Sequence, residues 1–180
     1  METRAEDPLQ EVEIWNAIAD LFLGLKHIHD LNIAHLDIKP SNIFVSKDGQ
    51  LLIGDFGLAF DLSKELTEDR EGDRNYLAPE ILEGHYGKAA DIFSLGLVIL
   101  EMTANVDLPE TGEAYHKLRQ CDFSDVPFDL ETTSTVLIEL IQSMLLPEHQ
   151  RPTIEQLLFH PHVADLVYER IRGDVEDECI

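Results

Sequence analysis

One stretch, Ile33 to Gly57, limits what this chain can fold into more than any other. It holds two short β-prone runs, Asn42 to Val45 and Leu51 to Ile53, on either side of Asp48-Gly49. Glycine tolerates positive φ, so that dipeptide suits a tight turn and the two runs read as a hairpin. Such a hairpin carries Asp55 back toward Asn42. His35, Asp37 and Lys39 stand just ahead of it and Asp55-Phe56-Gly57 just behind it. Polar groups that are separated along the chain are thereby gathered at one small element.

Helical periodicity surrounds this element. Ile14, Ile18, Leu21, Leu25 and Ile28 recur at helical spacing as far as about Asp30, and Trp15 and Phe22 widen the apolar face for core packing. Ala89 to Met102 is apolar nearly all round, as a buried central helix would be, with Asp91 the exception near its start. Ala78-Pro79-Glu80 opens a short helical pattern, Glu113 to Arg119 a second, and Thr133 to Leu145 a longer one with Val136, Leu137, Leu140, Ile141, Met144 and Leu145 inward. Arg151-Pro152-Thr153 begins another, where Thr153 and Gln156 have capping-box spacing and Leu157, Leu158 and Phe159 are expected to pack. Residues 1–10 form a polar lead-in and residues 164–180 a helix end with an acidic tail. With no repeat and no low-complexity linker, the chain reads as one α+β domain that is mostly α.

The composition excludes several functions. A formal charge of -23 argues against bulk electrostatic binding to nucleic acid or to an anionic membrane surface, since both are polyanions. No apolar run approaches the roughly 18 residues of a membrane span, and Met1 to Pro8 has no signal-peptide core. Cys121 and Cys179 are too few for a disulfide framework or a zinc knuckle, so no disulfide is expected. An intracellular, soluble protein of the nucleus or cytoplasm fits these features.

Two Asp and one Asn supply the hard oxygen ligands that Mg²⁺ prefers, and a nearby Lys can meet a transferring phosphate, which is the chemistry of phosphoryl transfer. Asp37, Lys39, Asn42, Asp55 to Gly57 and Ala78-Pro79-Glu80 also stand in the order and at about the spacing of the protein-kinase signature. From about Glu11 to Val163 the chain resembles the protein kinases. The resemblance implies a kinase C-lobe in which the small hairpin carries the catalytic and Asp-Phe-Gly segments, with ATP and Mg²⁺ as cofactors. It implies that Asp37 is the catalytic carboxylate toward the substrate hydroxyl and that Lys39 assists at the transferred phosphate. Asn42 and Asp55 would hold the metal and, with Lys39, the nucleotide. His35 would support the loop, Glu80 would pair with Arg151, and Asp91 would cap the catalytic-loop backbone from below. The Gly-rich loop, strand Lys and helix Glu of a kinase N-lobe do not occur in these residues. A missing N-lobe is therefore an expected partner, and residues 1–180 by themselves are expected to be inactive.

Three features are similar to the Wee/Myt group, the inhibitory kinases that phosphorylate a cyclin-dependent kinase and hold back mitotic entry. The catalytic loop reads His35-Leu36-Asp37, with Leu where most kinases carry Arg. The activation segment closes as Glu71-Gly72-Asp73-Arg74-Asn75-Tyr76-Leu77 before Ala78, and Asp73 stands where Ser/Thr kinases have a Thr that seats the substrate hydroxyl. Beyond the central helix, Ala104-Asn105-Val106, Leu108-Pro109, Gly112, Lys117-Leu118-Arg119 and Asp122 to Asp125 also resemble that group. The implied acceptor is a Tyr, or a Thr, of the cyclin-dependent kinase, with Asp73 shaping the acceptor site. The acidic run Asp61, Glu65, Glu68, Asp69 and Glu71 reads as a solvated activation loop, which Arg70 or Arg74 would order in place of the absent arginine. Asp37-Ile38-Lys39-Pro40-Ser41-Asn42 is the Ser/Thr form of the loop, so a fragment of a generic Ser/Thr kinase is one alternative. A non-catalytic kinase-lobe binding module is the other.

Overall fold

The structure, a computed structural model, describes residues 8–65 and 72–177. Glu68, Asp69, Arg70 and Glu71 of the acidic segment, and Glu178 and Cys179 of the tail, lie outside the described residues.

Helix α1 (Glu11–Asp30) begins where the Glu13 carboxylate reaches back 2.8 Å to the backbone N–H of Gln10, which satisfies one of the donors a helix start leaves over. Its inward face is Ile14, Trp15, Ile18, Leu21, Phe22, Leu25 and Ile28, all buried. Helix α2 (Lys88–Ala104) is buried along almost its whole length, so α1 and α2 together form the centre of the core. Fully burying each such Leu, Ile or Phe contributes about 1.5 to 3 kcal/mol. Gly96 of α2 is required by close packing. A Cβ there would lie 2.9 Å from Cβ of Met144, at the end of α4 (Thr135–Met144).

Two small ladders are nested on this helical base. Strand β1 (Ile33–Ala34) pairs antiparallel with β4 (Phe60–Asp61), and between them β2 (Ile43–Val45) pairs antiparallel with β3 (Leu51–Ile53), Phe44 opposite Leu52. The inner hairpin follows the sequence reading. The outer ladder does not, because its two-residue strands are too short to show a period. Residues 35–42 and 54–59 lie in the two gaps between the ladders, and this puts the catalytic loop and Asp-Phe-Gly side by side.

The remaining helices are α3 (Gly112–Arg119), α5 (Ile154–Leu158) and α6 (Pro161–Asp177). Ser134 caps α4, and Thr153 with Gln156 forms the capping box of α5. Phe159, expected in the core, is 83% exposed. The buried face of α5 is Ile154 and Leu157, and Phe159, two residues beyond Leu157, points off that face. Helix α6 continues to Asp177, so most of the expected acidic tail is helical in its backbone. It lies against α1, where Arg170 donates 2.8 Å to Asp20. Among the described residues, no helix is long and apolar enough to cross a membrane.

Candidate active site

The catalytic loop is held from the side of the central helix. Asp91, in the first turn of α2 and fully buried, accepts 2.8 Å hydrogen bonds from the backbone N–H groups of His35 and Leu36, one on each carboxylate oxygen. The ring of His29, also buried, donates to the same carboxylate through Nε2 at 2.9 Å. Leu36 has φ 63°, a left-handed conformation that is costly for leucine and persists only where neighbours enforce it. His35 lies beside it, fully buried. Its Nε2 is 3.0 Å from the Gly54 carbonyl and its Nδ1 accepts from the Asp37 N–H at 3.3 Å, a pair of partners that fixes the proton on Nε2. The ring also packs against Phe56. Histidine thus joins the catalytic loop to the Asp-Phe-Gly segment.

Asp37 is restrained on three sides. Its Oδ2 accepts from Asn42 Nδ2 at 2.9 Å and lies 3.0 Å from Lys39 Nζ, while Oδ1 accepts from the backbone N–H of Asp73 at 3.0 Å. Asn42 Nδ2 also donates to the Asp37 carbonyl at 2.8 Å. With its donors committed to Asp37, the Asn42 amide keeps Oδ1 as its remaining acceptor. The Gly54 N–H donates to the Asn42 carbonyl at 2.9 Å, so Asp55 follows directly on the residue that closes the hairpin. Asp55 is exposed, has φ 60°, and accepts the Gly57 N–H on Oδ1 at 3.1 Å. Asp73 approaches Lys39 only to 3.9 Å and turns its other oxygen to the Asn75 N–H.

The structure therefore brings Asp37, Lys39, Asn42 and Asp73 into contact, with Asp55 adjacent and His35 and Asp91 beneath. Glu80 and Arg151 stand apart from this group as a buried ion pair. Both Arg151 Nη atoms donate to the Glu80 carboxylate, and the same guanidinium donates to the Ala89 and Leu146 carbonyls. A cavity of about 490 Å³ bordered by Ala17, Pro40, Ile43, Val98 and Met102 contains none of the site residues.

No cluster of three or more His, Cys, Asp or Glu among the described residues is arranged to hold a metal ion. The donors that would meet Mg²⁺ are one amide oxygen, from Asn42, and one carboxylate, from Asp55. Both are hard oxygen donors, and a set this small suits an ion that keeps waters and shares substrate phosphates. The residues present fit the ion.

Sequence reasoning missed four contributors. His29 shows only as a polar residue at the end of α1, and its partner Asp91 is 62 residues away. Gly72 appears in the Glu-Gly-Asp motif, but its role is a close approach, since a Cβ there would overlap the Leu36 carbonyl oxygen and lie 3.0 Å from Asp37 Oδ1. Arg119 and Tyr115 of α3 touch the backbone of Arg74 and Asn75.

The protein kinase domain family matches residues 2–163. The chain belongs to that family. Within the protein kinases its likeness is to the Wee/Myt group. It is 43% identical over 166 residues to the membrane-associated tyrosine- and threonine-specific cdc2-inhibitory kinase of Drosophila melanogaster, covering 90% of this chain and 31% of that protein. It is 38% identical over 193 residues to the mitosis inhibitor protein kinase wee1 of Schizosaccharomyces pombe, covering 96% of this chain and 22% of the relative. The mitosis inhibitor protein kinase SWE1 of Saccharomyces cerevisiae is 50% identical over 120 residues, which cover 65% of this chain and 15% of that kinase. The chain thus spans less than a third of the length of each.

Proposed function

We propose that this chain is the lobe of a Wee-type protein kinase that carries the catalytic loop, and that the kinase transfers the γ-phosphoryl group of ATP to a Tyr or Thr of a cyclin-dependent kinase, restraining entry into mitosis. The observation that carries this reading is the three-sided hold on Asp37. A carboxylate paired with Lys39 and aimed by Asn42 and the Asp73 N–H is placed to receive a proton from an acceptor hydroxyl. The hydroxyl oxygen forms its bond to phosphorus as its proton passes to Asp37, and the ADP oxygen leaves. Lys39 presents a cationic point charge to the phosphoryl oxygens. Asn42 Oδ1 and the Asp55 carboxylate would hold Mg²⁺, which supplies charge neutralisation for the phosphates when bound. Asp73 borders the acceptor position. A Gly-rich loop and a strand Lys, which residues 1–180 do not contain, complete the nucleotide cleft in this reading. The likeness to relatives named as tyrosine- and threonine-specific cdc2-inhibitory kinases supports the choice of acceptor. The nucleus or cytoplasm, where the acceptor kinase would be met, is the compartment that goes with it.

The test uses the full-length protein with a purified cyclin-dependent kinase–cyclin complex and radiolabelled ATP. Wild type is expected to label Tyr or Thr. Asp37→Asn should lower the rate by about a hundredfold or more, the scale on which a positioned acid or base acts. Label confined to Ser, or an unchanged rate in the variant, would refute the proposal.

A further inference from the structure

Helix α3 lies outside the group around Asp37, yet two of its side chains hold the backbone that closes on that carboxylate. Arg119 Nη2 donates at 3.0 Å to the carbonyls of both Arg74 and Asn75, and Nη1 donates back to the Tyr115 carbonyl at 3.3 Å. The guanidinium lies 3.5 Å over the ring of Tyr115, one helical turn earlier, and the Tyr115 hydroxyl donates to the Arg74 carbonyl at 3.3 Å. No carboxylate pairs with Arg119 among the described residues, although the chain carries a net charge of -23. Among the described residues, its hydrogen bonds go to backbone carbonyls and its stacking to one aromatic face.

The two carbonyls belong to a tight turn. The Asp73 carbonyl accepts from the Tyr76 N–H at 3.0 Å, and Asp73 Oδ1 accepts from the Asn75 N–H at 3.0 Å. One residue earlier, the Asp73 N–H donates to Asp37 and Gly72 rests on the Leu36 carbonyl. An unbroken path of short contacts therefore runs from α3 through this turn to the carboxylate of the catalytic loop. Only a planar fork with several donors reaches two successive carbonyls while stacked on a ring, and a lysine ammonium lacks that shape.

We propose that Arg119, seated on Tyr115, is a positioning residue that clamps the Asp73–Tyr76 turn, fixing the acceptor-binding side of the site and the orientation of Asp37. This rests on the proposed kinase function only in assigning that turn to the acceptor side. The clamp itself is a statement about backbone order. Lys117 bonds to Asp125 at 2.9 Å, which anchors α3 to the following loop and gives the clamp a fixed base.

Full-length wild type, Arg119→Ala, Arg119→Lys and Tyr115→Phe are compared in two measurements. In amide hydrogen exchange, Arg119→Ala should speed exchange of the segment spanning residues 72–76 by about tenfold or more, the scale of losing hydrogen bonds from a charged donor. Exchange in α2 should stay unchanged. Tyr115→Phe, which removes only the hydroxyl, should give a smaller increase in the same segment. In steady-state kinetics, Arg119→Ala should raise KM for the protein acceptor by about tenfold and leave KM for ATP as in wild type, with Arg119→Lys recovering less than half of the loss. Exchange at 72–76 that does not change, or exchange that rises equally throughout the lobe, overturns the clamp. So does full recovery by lysine, or a KM for ATP that rises in step with that for the acceptor. If wild type phosphorylates nothing, the kinase function fails and the exchange measurement still decides the clamp. If Arg119→Ala does not fold, Tyr115→Phe decides it.

Discussion

Replacing Asp91 with alanine should loosen the catalytic loop more than any change within the loop itself. The carboxylate is fully buried and is the acceptor for three donors, the backbone N–H groups of His35 and Leu36 and the ring of His29. Alanine offers no acceptor, and water has no route to a site with no exposed surface. The His29 ring can change tautomer and lose its proton from Nε2, but the two amides cannot. At about 1 to 3 kcal/mol for each buried donor left unsatisfied, the loss is about 2 to 6 kcal/mol. Some of it returns, because Leu36 is held at φ 63° and relaxing a non-glycine residue from that region recovers about 1 to 3 kcal/mol. The net expectation is a destabilisation of about 1 to 3 kcal/mol, with Asp91→Asn intermediate, since its one carbonyl oxygen can serve one of the amides. Urea unfolding of the 180-residue chain, followed by the fluorescence of its single tryptophan, Trp15, measures this. Trp15 reports on α1, which packs on the same core as α2. A loss below about 1 kcal/mol for Asp91→Ala would mean that the loop holds its left-handed residue without this acceptor, and Asp91 would then not be its anchor.

Two other outcomes are expected. Arg151→Met should cost about 3 to 5 kcal/mol, because it leaves the Glu80 carboxylate buried and unpaired, and Glu80→Gln in the same chain should restore part of the loss; equal stability of the single and double variants in urea would contradict this. Burial, with neighbouring His162, holds the His160 ring below the ordinary histidine pKa of 6.5. As pH falls below about 6.5 the unfolded chain therefore takes up more protons than the folded one at this residue, so the stability it contributes is present above that pH and is lost as pH falls through the folded-state value. Trp15 stacks on His160 at 5.5 Å and on His162 at 5.0 Å, so its fluorescence follows the change. His160→Phe should flatten the dependence of the unfolding midpoint on pH in this window, and an unchanged slope would contradict the assignment.

Local patterns made much of the fold legible. The period of α1, the uniformly apolar α2, the Asp48-Gly49 turn and the Thr153–Gln156 capping box are each written within a few residues, and each corresponds to an observed element. What stayed hidden depends on distance along the chain. Glu11 looks like an ordinary first-turn acid, yet its carboxylate accepts from the N–H and hydroxyl of Ser134, 123 residues on. Burial alone would raise its pKa, but these bonds and the Trp15 indole N–H bring it below the usual carboxylate value. The pairings of His29 with Asp91 and of Arg119 with Arg74 and Asn75 have no local signature, because a side chain that serves a distant backbone group leaves no period and no spacing. In the site, residue types and their order pointed to the group around Asp37, while the angle at which Asp37 is held became visible only with the backbone in place.

Leu36 draws these observations together. A kinase arginine at this position would extend toward the activation segment as a long cation. Here the side chain is 6% exposed and joins the core, so the residue meets the segment through its backbone instead. Its N–H is bound by Asp91 from the central helix, and its carbonyl lies against Gly72, where a side chain would collide. The next residue, Asp37, takes the Asp73 N–H. Two successive residues of the loop are thus held between a buried carboxylate on one side and the Gly72–Asp73 backbone on the other. Backbone contacts of this kind have no long side chain to order and so lose little rotamer entropy. They also couple the two pieces directly, since the segment cannot move off Leu36 without removing the Asp73 hydrogen bond from the Asp37 carboxylate.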